Sequence, residues 1–181
     1  MYKELIVKLT EHGVKFDTGL SVQEINKIES TYQILLPESI KTFYQEALPV
    51  SRGFYNWRDF RHENVQFIKA AIEKPGLEII DLANEIDWCD EWGQEPTTPS
   101  QRKAIICDLV KKSARLIPIY SHRYTVSAAQ AESPVLSICG TDVVYYANDF
   151  STYLEIEFNL KPYINLIEGE FPKIPFWNDL L

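Results

Sequence analysis

The sequence is short of the residues that carry most enzymatic chemistry. It has three histidines and three cysteines. His12, His62 and His122 have no partner His or Cys three or four residues away, and Cys89, Cys107 and Cys139 form no CxxC pair. Zinc sites draw on paired ligands at short spacing, so neither a metal site nor a cofactor is expected. Glycine is scarce as well, at seven residues in 181. No GxGxxG, Walker-type or GxSxG pattern occurs, which removes the phosphate cradles and the nucleophile elbow. Apolar runs stay short, as in Ile34-Leu35-Leu36-Pro37, far from the roughly 20 residues that span a bilayer. The first residues, Met1-Tyr2-Lys3-Glu4-Leu5, lack the basic segment and apolar stretch of a secretory leader. Together with an odd, unpaired set of cysteines, this leads us to expect a cytoplasmic protein.

What is present fits one folded domain over 1–181. Apolar residues make up 45% and charged residues 24%, ordinary proportions for a globular chain that needs no disulfide to hold it. The charge is unevenly placed. Residues 1–75 carry ten basic and ten acidic side chains, whereas residues 76–181 carry eight basic and sixteen acidic. The net charge of −8 therefore resides in the C-terminal part. Such a surface repels nucleic acid and anionic membranes and favours a basic partner.

Periodicity places helices first. Tyr2, Leu5, Ile6 and Leu9 share a helical face that Gly13 ends. Ser21 and Glu24 have the spacing of a capping box, in which each side chain satisfies the other's backbone donor. Pro37 is placed to open a third helix, with Ile40, Phe43, Tyr44 and Ala47 inward and Pro49 at its end. Gly53 to Trp57 reads as a short extended piece. A helix over 63–74 is expected to close at Pro75-Gly76, and a further one over 77–86. Thr98-Pro99-Ser100-Gln101 opens a helix reaching about residue 113. From there the runs are β-branched or aromatic: 116–120, 134–139 and 142–146, the last two joined at Gly140-Thr141 as a hairpin. Asp149 or Ser151 caps a last helix through Phe158. A tail containing Pro162, Pro172 and Pro175 follows, with Phe176-Trp177 as its aromatic anchor. Helices followed by hairpin strands make an α+β fold, with N-terminal helices packed on a mainly antiparallel sheet from the later part of the chain.

Three places carry chemistry worth weighing. Ser121 and His122 are adjacent, but neighbours in an extended segment point to opposite faces, so no catalytic pair is read there. The donors and aromatics from Pro118 to Tyr124 serve either a turn or a binding loop. The densest feature is an acidic run, Glu78, Asp81, Glu85, Asp87, Asp90, Glu91 and Glu95, with no Lys or Arg between its members. It surrounds Trp88 and Trp92, which a helix would set on one face. Aromatic anchors in a charged rim are what protein interfaces favour. The alternatives are a solvated acidic face with both indoles in the core, or paired carboxylates acting as acid and base. The same acids would raise the pKa of Cys89 and blunt it as a nucleophile. In the strand 142–146, one of Tyr145 and Tyr146 faces outward. Tyr145 beside Asp142 joins the candidate partner-binding set of Asp87, Trp88, Asp90, Glu91 and Trp92.

The passages Leu20-Ser21-Val22-Gln23-Glu24-Ile25-Asn26-Lys27-Ile28-Glu29 and Leu36-Pro37-Glu38-Ser39-Ile40-Lys41-Thr42-Phe43-Tyr44, followed by the strands from Leu116 and the helix to Phe158, resemble the SUKH superfamily over about 20–158. That superfamily includes fungal cell-wall-synthesis regulators and bacterial immunity proteins. This chain departs from it in Leu48-Pro49-Val50-Ser51-Arg52-Gly53, where members often carry an Asn-Gly-Gly-like turn. It departs again in Ser121-His122-Arg123-Tyr124, where they often carry Gly-Asp. The resemblance implies an α+β fold and a non-enzymatic bacterial immunity protein that occludes a cognate toxin domain, often a nuclease. A regulatory scaffold related to cell-wall synthesis is the alternative it offers.

Overall fold

A computed structural model describes residues 2–163 and 174–181 of the chain. Six helices and six strands are formed by these residues: α1 (Lys3–Glu11), β1 (Phe16–Thr18), α2 (Val22–Tyr32), α3 (Glu38–Glu46), β2 (Ala47–Pro49), α4 (His62–Asp81), α5 (Pro99–Lys112), β3 (Leu116–Tyr120), β4 (Arg123–Val126), β5 (Val135–Cys139), β6 (Asp142–Ala147) and α6 (Phe150–Glu157). The expected α+β class holds: helices precede a four-stranded antiparallel meander of order β3-β4-β5-β6. A small antiparallel pair, β1 with β2, lies apart from it.

Local side-chain chemistry caps three of the six α-helix starts among the described residues. Ser21 Oγ accepts from the Glu24 amide, and Glu24 Oε2 accepts from the Ser21 amide at 2.8 Å, so both halves of the expected capping box are made. Thr98 Oγ1 accepts from the Gln101 amide at the head of α5, and Asp149 accepts from the Thr152 amide at the head of α6. Each bond satisfies a backbone donor that the first helical turn leaves without a partner.

The pleat of the meander divides the interior. Ile117, Ile119 and Val135 face a core built with α1, α2, α3 and α6, where Phe43, Tyr44, Phe150 and Trp57 are buried. Leu116, Tyr124, Leu136, Ile138 and Val143 face a second core with Ile79, Ala83, Ile106 and Trp177. Side chains alternate across a strand, so the sheet is covered on both faces rather than on one. Gly19 shows how tightly the smaller sheet docks. A Cβ there would lie 1.8 Å from the Gln45 carbonyl oxygen, while the Leu20 amide donates to Tyr44 O at 2.7 Å.

Several elements differ from the sequence expectation. The helix expected to close at Pro75-Gly76 continues to Asp81 with Pro75 buried inside it. Proline removes one backbone bond and crowds the preceding turn, at about 3 kcal/mol. Burial of Ile68, Ile72 and Ile79 on the same helix outweighs that cost. The separate helix expected over 77–86 is the last turn of α4 followed by turns. Residues 47–49 form a strand instead of a helix end, because they pair with 16–18. Between Gly53 and Trp57 only Phe54 makes a bridge, to Tyr120. In the tail, Phe176 and Trp177 are buried as the expected anchor, whereas Pro172 lies outside the described residues.

Candidate functional site

The acidic segment after α4 is not helical. Residues 87–89 are irregular and Asp90–Trp92 make one 3-10 turn, so the spacing of four does not place the indoles side by side on a helix. Tertiary packing brings them together all the same: Trp88 and Trp92 meet edge to face with centroids 5.4 Å apart and planes at 87°. Trp88 Nε1 donates to Gly93 O at 2.7 Å. Trp92 Nε1 donates to Asp179 Oδ2 at 2.8 Å, and its ring stacks on Phe176 at 5.8 Å. Both indoles are half-buried against the second core. They hold the loop down, while Asp87, Asp90 and Glu91 stand exposed above them.

Arg102 of α5 fastens the loop from the other side. Its guanidinium donates to the carbonyls of Ala83, at 2.6 Å, and of Ile86, and it pairs with Glu95. It also lies over the Trp88 ring, 5.1 Å from the centroid. Sequence reasoning missed Arg102 and Asp179, and it named Phe176 as a tail anchor without placing it against this loop. An arginine four residues after a helix N-cap carries no sign of what it will reach.

The structure also sorts the seven acids. Glu78 pairs with Lys74 at 2.6 Å, Asp81 with Lys103 at 3.0 Å, and Glu95 with Arg102. Glu85, Asp87 and Asp90 have no basic partner among the described residues. Glu91 accepts a hydrogen bond from the Cys89 thiol at 2.7 Å. That bond, with burial adding to it, pushes the thiol pKa up, so Cys89 is held as a thiol rather than as a nucleophilic thiolate. Local charge thus concentrates on a short outward ridge.

Asp142 and Tyr145 do not join that ridge as a pair. Asp142 is exposed at the start of β6, but Tyr145 is 9% exposed and faces the second core. Its hydroxyl donates to Asn178 Oδ1 at 3.0 Å, and burial raises its pKa. Residues three apart in a strand lie on opposite faces, and Tyr145 takes the inward one. The half-exposed tyrosine of the pair is Tyr146.

Ser121 and His122 are in contact, against the expectation for an extended segment. Ser121 has φ +50° in a tight turn, and its Oγ lies 3.3 Å from His122 Nδ1. Arg123 Nη1 approaches His122 Nε2, and a guanidinium only donates. In that contact Nε2 would be the acceptor, and the donor between Ser121 Oγ and Nδ1 is set by the tautomer. Burial and the nearby Arg123 lower the His122 pKa. Arg123 is itself bound by Glu157 at 3.0 Å and Ser137 at 2.8 Å, and it covers the Tyr146 ring at 4.0 Å.

Among the described residues, no three His, Cys, Asp or Glu side chains are grouped to hold a metal ion. No helix among them is long and apolar enough to cross a membrane. Comparison with protein-family models finds none that matches the chain, and comparisons with curated proteins and with solved structures find no match either.

Proposed function

We propose that this chain is a non-enzymatic immunity protein that binds a basic toxin domain, of the nuclease kind, and neutralises it by covering its working surface. The observation that carries the reading is the ridge Asp87, Asp90 and Glu91, exposed on a loop that the half-buried Trp88 and Trp92 pin to the body of the protein. A loop already held in one shape loses little conformational freedom on binding. Exposed carboxylates steer a basic partner and suppress acidic ones. The order of elements adds support: a capped helix, Leu36-Pro37, a helix with an aromatic stripe and, after α4 and α5, an antiparallel sheet and a closing helix, in keeping with the helices and mainly antiparallel sheet that the SUKH resemblance implies.

The test is co-purification with the product of the adjoining reading frame, followed by a titration at rising salt. A one-to-one complex, weakened by salt and lost when Asp87, Asp90 and Glu91 are all replaced by lysine, is the expected result. An unweakened complex with that triple variant would move the interface elsewhere. Recovery of cell-wall-synthesis proteins alone would replace the reading with that of a regulatory scaffold.

A further inference from the structure

The outer side of α4 carries one continuous seam. Glu63, Phe67, Ala70, Lys74, Leu77 and Asp81 follow one another at alternating steps of four and three residues, and all six are exposed. That repeat lines residues up along one face of a helix. Phe67 is 59% exposed, yet its ring is held in place. It stacks on Tyr55 at 5.7 Å, and the Tyr55 hydroxyl donates to Ser121 O at 2.8 Å. A fixed aromatic ring in open solvent suits an interface anchor, because covering it costs little conformational freedom. Ala70, one turn on, is small enough to let a second helix come close.

The charges along the seam select what covers it. Glu63 stands four residues before Phe67, and Lys74 four after Ala70. An antiparallel pair of these helices that sets Phe67 against the partner's Ala70 therefore also sets Glu63 against the partner's Lys74. A two-fold axis makes each of these meetings occur twice. Glu63 makes no hydrogen bond or ion pair among the described residues, and the nearby Arg61 is held by Asp59 at 2.6 Å. Lys74 bonds Glu78 at 2.6 Å along its own helix, a surface pair that exchanges partners at little cost. Gln66 and Glu73, both exposed, supply a polar rim. Other arrangements fail on charge. A parallel pair puts like charge on like at both Glu63 and Lys74. A slide that brings Phe67 to the partner's Leu77 sets Glu63 against the partner's Asp81.

We propose, independently of the toxin-binding reading, that α4 pairs with α4 of a second copy of this chain as an antiparallel two-fold dimer. Phe67 packs on the partner's Ala70, and Glu63 bonds the partner's Lys74. One helix face buries less area than a permanent dimer needs, so the association is a weak and reversible one.

The experiment is sedimentation equilibrium of the full chain from about 1 µM to about 1 mM in about 0.15 M salt, which screens the repulsion between two acidic chains. A monomer–dimer equilibrium with no larger species is expected. Glu63→Lys and Lys74→Glu should each weaken it by about tenfold or more, since each creates two like-charge meetings. An equimolar mixture of those two variants should recover the dimer, because opposite charges then meet at both ends of the pair. Ala70→Lys, at an exposed site that suits a good helix former, should abolish the dimer with the melting temperature unchanged. A monomer at every concentration, a dimer strengthened by Glu63→Lys, no recovery in the mixture, or an unaffected Ala70→Lys dimer would each overturn the assignment.

Discussion

The indole N–H of Trp92 donates to Asp179 Oδ2 at 2.8 Å across 87 residues of chain, so the acidic loop and the C-terminal turn hold each other in place. Phe176 stacks on the same indole, and Tyr145 donates to Asn178 next door. Trp92→Phe keeps an aromatic ring at this position and removes the hydrogen bond to the carboxylate together with part of the indole packed against Trp88 and Phe176. It should cost about 1–2 kcal/mol and speed amide exchange at residues 87–93, both measurable by denaturation and hydrogen exchange. The charge reversals at Asp87 and Asp90, both exposed, should shift stability by no more than about 0.5 kcal/mol. A stability loss there comparable to that of Trp92→Phe would refute this division between anchor and ridge.

Arg102 fastens the other side of the loop, with its side chain 11% exposed. Arg102→Met keeps most of the volume but leaves the Ala83 and Ile86 carbonyls without this donor. A loss of about 2 kcal/mol is expected, read as a lower denaturation midpoint with an unchanged denaturant slope.

Two glycines should respond differently to alanine. At Gly19 the new Cβ would meet a backbone oxygen at 1.8 Å, so β1 or the α3–β2 junction must move. At Gly13, with φ +88°, nothing lies within 4 Å, and the cost is the left-handed backbone alone, about 1–2 kcal/mol. Thermal denaturation should rank Gly19→Ala as the more damaging. The reverse order would show that the docking of β1 against α3 is looser than described.

Acid should expose the clamp around Arg58, whose guanidinium bonds Glu24 and Asp17 at 2.8 Å each. The Ser21 amide and then Arg58 lower the Glu24 pKa from its usual 4.5 to about 2. Because the folded value lies below the unfolded one, this contribution is complete above pH 4.5 and is lost as the pH falls towards 2. Glu24→Gln should flatten the fall in melting temperature across that window. An equally steep fall in the variant would assign the acid sensitivity to other carboxylates.

Much of the architecture was legible because it rests on short-range chemistry. Ser21-Glu24 and Asp149 announce helix starts through bonds made within one turn, and Gly140-Thr141 between two β-branched runs announces the β5–β6 hairpin. The strand β4 escaped notice because four residues, Arg123–Val126, carry too little alternation to stand out. The three-residue strands β1 and β2 exist only as each other's partners. At the candidate site the exposed carboxylates were legible, but the inward face of Tyr145 was not. Two adjacent tyrosines in a strand are equivalent until the sheet is covered.

The amino-acid sequence by itself determined the helix caps, the hairpin, the α+β class and the placement of net negative charge in the later part of the chain, since each follows from neighbours or from composition. Tertiary structure alone decided that α4 runs through Pro75, that Trp88 and Trp92 anchor a loop instead of lining a helix, and that Arg102 and Asp179 hold that loop. Those outcomes balance a local penalty or a loss of chain entropy against apolar burial and hydrogen bonds between distant residues. Only the assembled fold brings both sides of that balance to one place.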